Sequence, residues 1–116
     1  SRYWRELYVA CPIGDQVIEG YVDLVYETDE GLVVVDYKTD QIDPSELGRK
    51  VERYRLQGAT YATALEATTR QRVARVVFVF LSPTSPALLA LLPTLEEAIA
   101  EVRTVIEHEG AVGSHP

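Results

Sequence analysis

Two acids and a lysine, set inside stretches of strand-forming residues, constrain this chain more than any other feature. Asp23 lies in Gly20-Tyr-Val-Asp23-Leu-Val-Tyr26, and Asp36 and Lys38 lie in Val33-Val-Val-Asp36-Tyr-Lys38-Thr39. Both segments read as β-strands, and Thr28-Asp-Glu-Gly31 between them reads as a hairpin turn. With a symmetric loop, Thr28 faces Gly31 and Asp23 faces Asp36, whereas a bulge at Gly31 slips the pairing by about one residue. Carboxylates facing each other across strands repel. Burial makes that worse, because an unpaired charge is costly to desolvate. A divalent cation removes the conflict, since hard cations prefer carboxylate oxygens. Lys38 follows Asp36 by two positions, so strand alternation puts it on the same face. Two acids and a lysine on one sheet face suit metal-assisted phosphodiester cleavage.

The remaining elements follow from pattern. Residues 2–9 read as a strand and Cys11-Pro-Ile-Gly-Asp15 as a turn. The second strand spans 16–27 and the third 32–39, whose apolar run Val33-Val-Val35 suits a central strand covered on both sides. Asp43 as N-cap, Pro44 at the first helical position and Glu46 completing a capping box open a helix that runs to about Ala67. Leu47, Val51, Tyr54, Gly58, Tyr61, Ala62 and Leu65 form its buried stripe. Residues 72–81 form a strongly β-type strand, Ser82-Pro-Thr-Ser-Pro86 breaks it, and 88–92 suit a further short strand. Thr94 with Glu97 forms a second capping box, opening a helix to about His108 with Leu95, Ala98, Ile99, Val102 and Ile106 inward, and residues 110–116 form a tail. The order is β-β-β-α-β-β-α in one α/β domain with a mixed sheet, covering residues 1–116.

Composition narrows the classes. No apolar run approaches a membrane span and no signal peptide opens the chain. The single cysteine, Cys11, excludes an internal disulfide and a four-cysteine iron–sulfur or zinc site within these residues, and a cytoplasmic setting is expected. Gly-x-x-x-x-Gly-Lys-Ser/Thr is absent, so any ATPase lies outside the chain. A net charge of −7 argues against a free-standing DNA binder. The charge is uneven, with Arg49, Lys50, Arg53 and Arg55 clustered on one segment and Arg70, Arg72 and Arg75 on another. That balance suits a module receiving its strand from a larger partner.

Asp23 followed by Asp36-Tyr37-Lys38 resembles the signature of the PD-(D/E)xK nuclease superfamily. Gly20-Tyr-Val-Asp23-Leu, Val35-Asp36-Tyr37-Lys38-Thr39 and the helical Gln57-Gly-Ala-Thr-Tyr61 resemble the RecB-type nuclease domain of bacterial helicase–nuclease proteins. The resemblance implies a restriction-endonuclease-like core whose usual first helix has no counterpart before Arg2, so the chain reads as a C-terminal fragment of a helicase–nuclease. It implies Mg²⁺ or Mn²⁺ held by Asp23, Asp36 and the backbone carbonyl of Tyr37, catalysis by Asp23, Asp36 and Lys38, and DNA contact by Gln57 and Tyr61. It also implies partners: single-stranded DNA and a helicase motor, in the same chain or in a partner protein. Relatives often place a glutamate where Glu6 stands. They use an upstream histidine that neither His108 nor His115 matches, and several carry an iron–sulfur cluster that this chain cannot form. The expected activity is metal-dependent DNA hydrolysis in DNA end processing and recombinational repair. The alternative is a non-catalytic DNA- or subunit-binding module of the same fold. A resolvase or restriction-type enzyme shares the acid–lysine core but accounts less well for the Gln57/Tyr61 face.

Overall fold

Five strands and two long helices follow in the expected order in a computed structural model that describes residues 2–13, 15–39, 42–84 and 86–113. The strands are β1 (Tyr3–Ile13), β2 (Gln16–Thr28), β3 (Gly31–Lys38), β4 (Val73–Phe80) and β5 (Leu88–Leu91), and the helices are α1 (Leu47–Thr69) and α2 (Leu95–Gly113). They build one mixed sheet in the order β1-β2-β3-β4-β5. β1, β2 and β3 are antiparallel neighbours, β3 pairs parallel with β4, and β4 pairs antiparallel with β5. A parallel pair needs a long crossover, and α1 supplies it.

The β2–β3 hairpin closes as a symmetric loop does. Thr28 pairs with Gly31 and Leu24 with Val35, and the slip at Gly31 does not occur on this side. The irregularity lies instead between Leu32 and Val33 in the pairing with β4. Gly31 has φ +138°, and a Cβ there would sit 2.5 Å from the Arg72 carbonyl oxygen. That same carbonyl accepts the Leu32 N–H at 2.8 Å, tying the turn to the start of β4.

β3 is the central strand, buried from Leu32 to Asp36. Its alternate residues Leu32 and Val34 join Val76, Phe78 and Phe80 of β4 in the main core, with Val51, Ala62 and Leu65 of α1 against them. Gly58 lets α1 lie close to the sheet, since a Cβ there would be 3.0 Å from Phe78 and 3.2 Å from Val76. The α1 stripe is buried or half-buried as its spacing predicts. α2 packs on α1 through Ala59, Ala98 and Val102, and Arg55–Glu101 and Arg103–Glu66 ion pairs flank that contact.

Several boundaries differ from expectation. β1 continues through Cys11, Pro12 and Ile13, with Pro12 opposite Val17, so these residues are strand and not turn. β1 is an edge strand, where proline is tolerated because only alternate N–H groups bond to the neighbouring strand. A 3₁₀ turn, Pro44–Glu46, precedes α1, with the Asp43 N–H donating to the Glu46 carboxylate at 3.2 Å as the capping box requires. α1 extends to Thr69 and ends on Arg70 in the left-handed conformation, φ 60°. Thr94 does not close its capping box: its hydroxyl donates to the Pro93 carbonyl at 2.7 Å, and its φ is 51°. α2 runs on to Gly113, past the expected end. The side chain of His108 and all of His115 lie outside the described residues.

A candidate metal-dependent nuclease site

The β2–β3 ladder ends at the Leu24–Val35 pair, and Asp23 and Asp36 are the next residue on each strand, close enough for Asp23 to act on the Asp36 carboxyl. Asp36 is 7% exposed and Asp23 half-buried. An Asp23 carboxylate oxygen accepts the Tyr37 N–H at 2.8 Å, so one acid is anchored by the strand that carries the other. Asp36 has no comparable anchor. Its Oδ2 is buried and 3.0 Å from the Lys38 Nζ, but the approach lacks hydrogen-bond geometry, and the atom has no hydrogen-bond partner. Burial pushes the Asp36 carboxyl above its ordinary value. Lys38 opposes that shift without cancelling it, and Asp23 adds to it.

Lys38 sits at the junction of sheet and helix. Its ammonium donates to Gln57 Oε1 at 2.7 Å and lies 4.1 Å from the centre of the Tyr54 ring. The Gln57 side-chain NH₂ donates to the Tyr61 hydroxyl at 3.4 Å. Burial, followed by the charge of Asp36, raises the Tyr61 phenol above its usual range. The geometry therefore gathers Asp23, Asp36, Lys38, Gln57 and Tyr61 in one place, with Tyr37 between the two strand positions.

Three features of the site escape a reading of pattern alone. Tyr54 counts as a core residue by spacing, and its ring does pack against Phe78 and Phe80, with centroids 6.2 and 6.5 Å away. It also forms the floor under the Lys38 ammonium, an arrangement that stabilises a cation. Gly20 makes room for the helix pair, because a Cβ there would lie 2.8 Å from the Tyr61 hydroxyl; an interior strand glycine signals such close approach. The third is a break at Asp23 itself. Val22 and Val25 both enter the main core although they are three positions apart, so alternation fails between them. Across the strand, Glu6 has φ 50°, and the β1–β2 pairing passes from Arg5–Leu24 to Leu7–Val22 without it. Glu6 thus stands opposite Asp23 in strained backbone, but its side chain is exposed. Among the described residues, no three His, Cys, Asp or Glu side chains gather as a metal-binding group.

Comparison with known proteins agrees with this geometry. Residues 1–113 match the family model of the PD-(D/E)XK nuclease superfamily. An ATP-dependent helicase/nuclease subunit from Desulforudis audaxviator is 42% identical over 57 residues, 49% of this chain and 5% of that protein. Its namesake from Ruminiclostridium cellulolyticum is 35% identical over 83 residues, 66% of this chain and 7% of that protein. The chain thus spans a small fraction of these relatives. The crystal structure of SSO0001 shares the fold, with a TM-score of 0.56 at 15% identity over 91% of this chain and 50% of that one. With the acids, the lysine and the Gln57/Tyr61 helix assembled on this fold, the chain belongs to the PD-(D/E)XK nuclease superfamily and is a domain of the RecB type.

Proposed function

We propose that the site is the carboxylate–lysine part of a divalent-metal-dependent DNA nuclease centre, working beside a helicase motor in a longer protein or a partner subunit. The observation that carries this reading is the Asp36 carboxylate, which is buried, is pushed up by burial and by Asp23, and has an oxygen that meets the Lys38 ammonium at 3.0 Å without forming a hydrogen bond. A fold rarely leaves a buried acid in that state without a functional reason. The donors present suit a hard cation in kind, all being oxygens. Asp23 and Asp36, with the Tyr37 carbonyl, would hold Mg²⁺ or Mn²⁺. When bound, the ion supplies an acidified water and a clamp for the scissile phosphate. Lys38 is held by Asp36, Gln57 and the Tyr54 ring, so its ammonium is positioned in advance to stabilise charge developing on phosphate oxygens. Gln57 sets the position of Lys38, and Tyr61 reaches the same cleft to contact the strand.

A second reading has a specific observation in its favour and is the better one for these 116 residues acting alone. Among the described residues no group of three His, Cys, Asp or Glu side chains gathers at the site, so the protein side chains offered to a cation are few. On this reading the domain grips DNA or a partner subunit without cutting, and cleavage arises only when the longer protein adds a ligand.

Lys38→Ala in the longer protein separates the two. For a nuclease, cleavage of single-stranded DNA with Mg²⁺ falls by roughly two orders of magnitude, the scale of losing one transition-state stabiliser. Metal binding survives, because both carboxylates remain. Unchanged cleavage would reduce Lys38 to a counter-ion and leave the binding module as the function.

A further inference from the structure

The site has a basic neighbour on α1. The first turns of the helix and the 3₁₀ turn before it form a concavity of about 260 Å³ lined by Glu46, Arg49, Lys50 and Arg53. Three cations and one acid line it, on a chain whose net charge is −7. The concavity lies on the same helix as Gln57 and Tyr61 of the proposed catalytic face. Lys50, Tyr54, Gln57 and Tyr61 recur at helical spacing along α1. The Tyr54 ring stands between two cations, with the Lys38 ammonium 4.1 Å from its centre and the Arg53 guanidinium 6.0 Å from it. A cationic track therefore leads from Asp36 and Lys38, past Tyr54, to Arg53, Lys50 and Arg49.

We propose that this concavity is a phosphate-binding subsite that holds the backbone of a nucleic-acid strand to one side of the Asp36–Lys38 site. The proposal rests on the nuclease-fold reading above and adds the direction in which the strand leaves. From Gln57 to Lys50 the helix advances about 10 Å, at roughly 1.5 Å per residue. Successive phosphates of a strand lie farther apart through space than the axial rise of about 3.4 Å per nucleotide, so the subsite takes a phosphate about one or two nucleotides from the one at Lys38. Arginine suits that task, because its planar fork pairs with phosphate oxygens two at a time. Such contacts position a strand without reading its sequence.

The test is binding of a fluorescent oligothymidylate by the 116-residue chain in EDTA, where cleavage cannot occur, across a salt series. The variant Arg49→Ala/Lys50→Ala/Arg53→Ala should lose affinity about tenfold or more at low salt. The slope of log affinity against log salt should fall by about 2, three contacts at roughly 0.7 each for a single strand. Arg49→Lys/Arg53→Lys keeps the charge and should keep most of the slope, which separates charge loss from misfolding. Arg72→Gln, on the far side of the fold and paired with Glu96, should leave the slope unchanged. If the wild type binds and the triple variant keeps its slope, the subsite is wrong while the nuclease-fold reading stands. If the wild type binds no oligonucleotide even at low salt, the subsite fails, whereas the nuclease reading stands or falls on the Lys38→Ala cleavage assay in the longer protein with Mg²⁺. Equal capture of an acidic peptide, lost in the same variant, would reassign the concavity to a protein partner and overturn the proposal.

Discussion

Asp36 is the residue on which the account turns, and its environment has a consequence for pH. Its folded-state pKa is raised above the ordinary 3.8, by burial first. A carboxyl raised on folding contributes stability below its unfolded value and loses it as pH rises through the folded one. The charged form at neutral pH is therefore a cost that the fold carries. Asp36→Asn should gain in melting temperature relative to the wild type as pH rises towards 7, because it removes the ionisation that burial opposes, although it also leaves Lys38 without its ion-pair partner. The gain should vanish as pH falls below 3.8, where both forms are neutral. A melting series from pH 3 to 8 checks this, and a gain independent of pH would assign it to packing. Gly20 is a second single-residue lever. Gly20→Ala should push the Tyr61 hydroxyl from its place and reduce nuclease activity of the longer protein about as much as Tyr61→Phe, with little change in stability.

At the scale of elements, the register that brings Asp23 and Asp36 to the end of the β2–β3 ladder was readable because a short symmetric turn fixes register by counting. Lys38 followed from alternation, and the α1 stripe from helical periodicity. Other features were not readable, for local physical reasons. Pro12 signals a turn by composition, yet an edge strand tolerates it. Thr94 and Glu97 have the spacing of a capping box, but the Thr94 hydroxyl bonds to the neighbouring Pro93 carbonyl. The break at Asp23 involves the strained backbone of Glu6 on another strand, and no local pattern encodes it. Gln57 and Tyr61 were placed at the site by family likeness; Gln57 is held there by Lys38, a contact between elements far apart in sequence. Two tests belong at this scale. Gln57→Ala/Tyr61→Phe should weaken cleavage while leaving metal affinity within a few-fold, because neither side chain is among the proposed ligands. Gly58→Val should destabilise the fold by about 2 kcal/mol, since Phe78, Val76 and Leu92 already crowd that position. Denaturant unfolding reads that loss.

For the whole molecule, the family was legible and the working unit was not. The element order, the mixed sheet and the acid–lysine core all follow from the 116 residues. A third carboxylate or histidine beside Asp23 and Asp36 does not: no such group gathers among the described residues, and no pattern in the sequence names one. The relatives named above are far longer, this chain spanning 5–7% of them. The isolated domain is expected to fold and to cleave single-stranded DNA poorly, with activity rising at least tenfold in an N-terminally extended or motor-bearing form, because positioning alone supplies several kcal/mol. Equal activity of the two forms in one assay would show a self-sufficient domain.

A divalent cation held by Asp23 and Asp36 together would bind only the folded domain, so thermal melting in Mn²⁺ reads out its binding. A ligand bound only to the folded state at about ten times its Kd adds roughly 1.4 kcal/mol. The wild type should therefore gain several degrees, and the gain should grow with pH as the Asp36 carboxyl ionises. Asp23→Ala and Asp36→Ala should each abolish the response, and Lys38→Ala should retain it. The same Mn²⁺ response in Asp36→Ala as in the wild type would place the metal elsewhere and contradict the account.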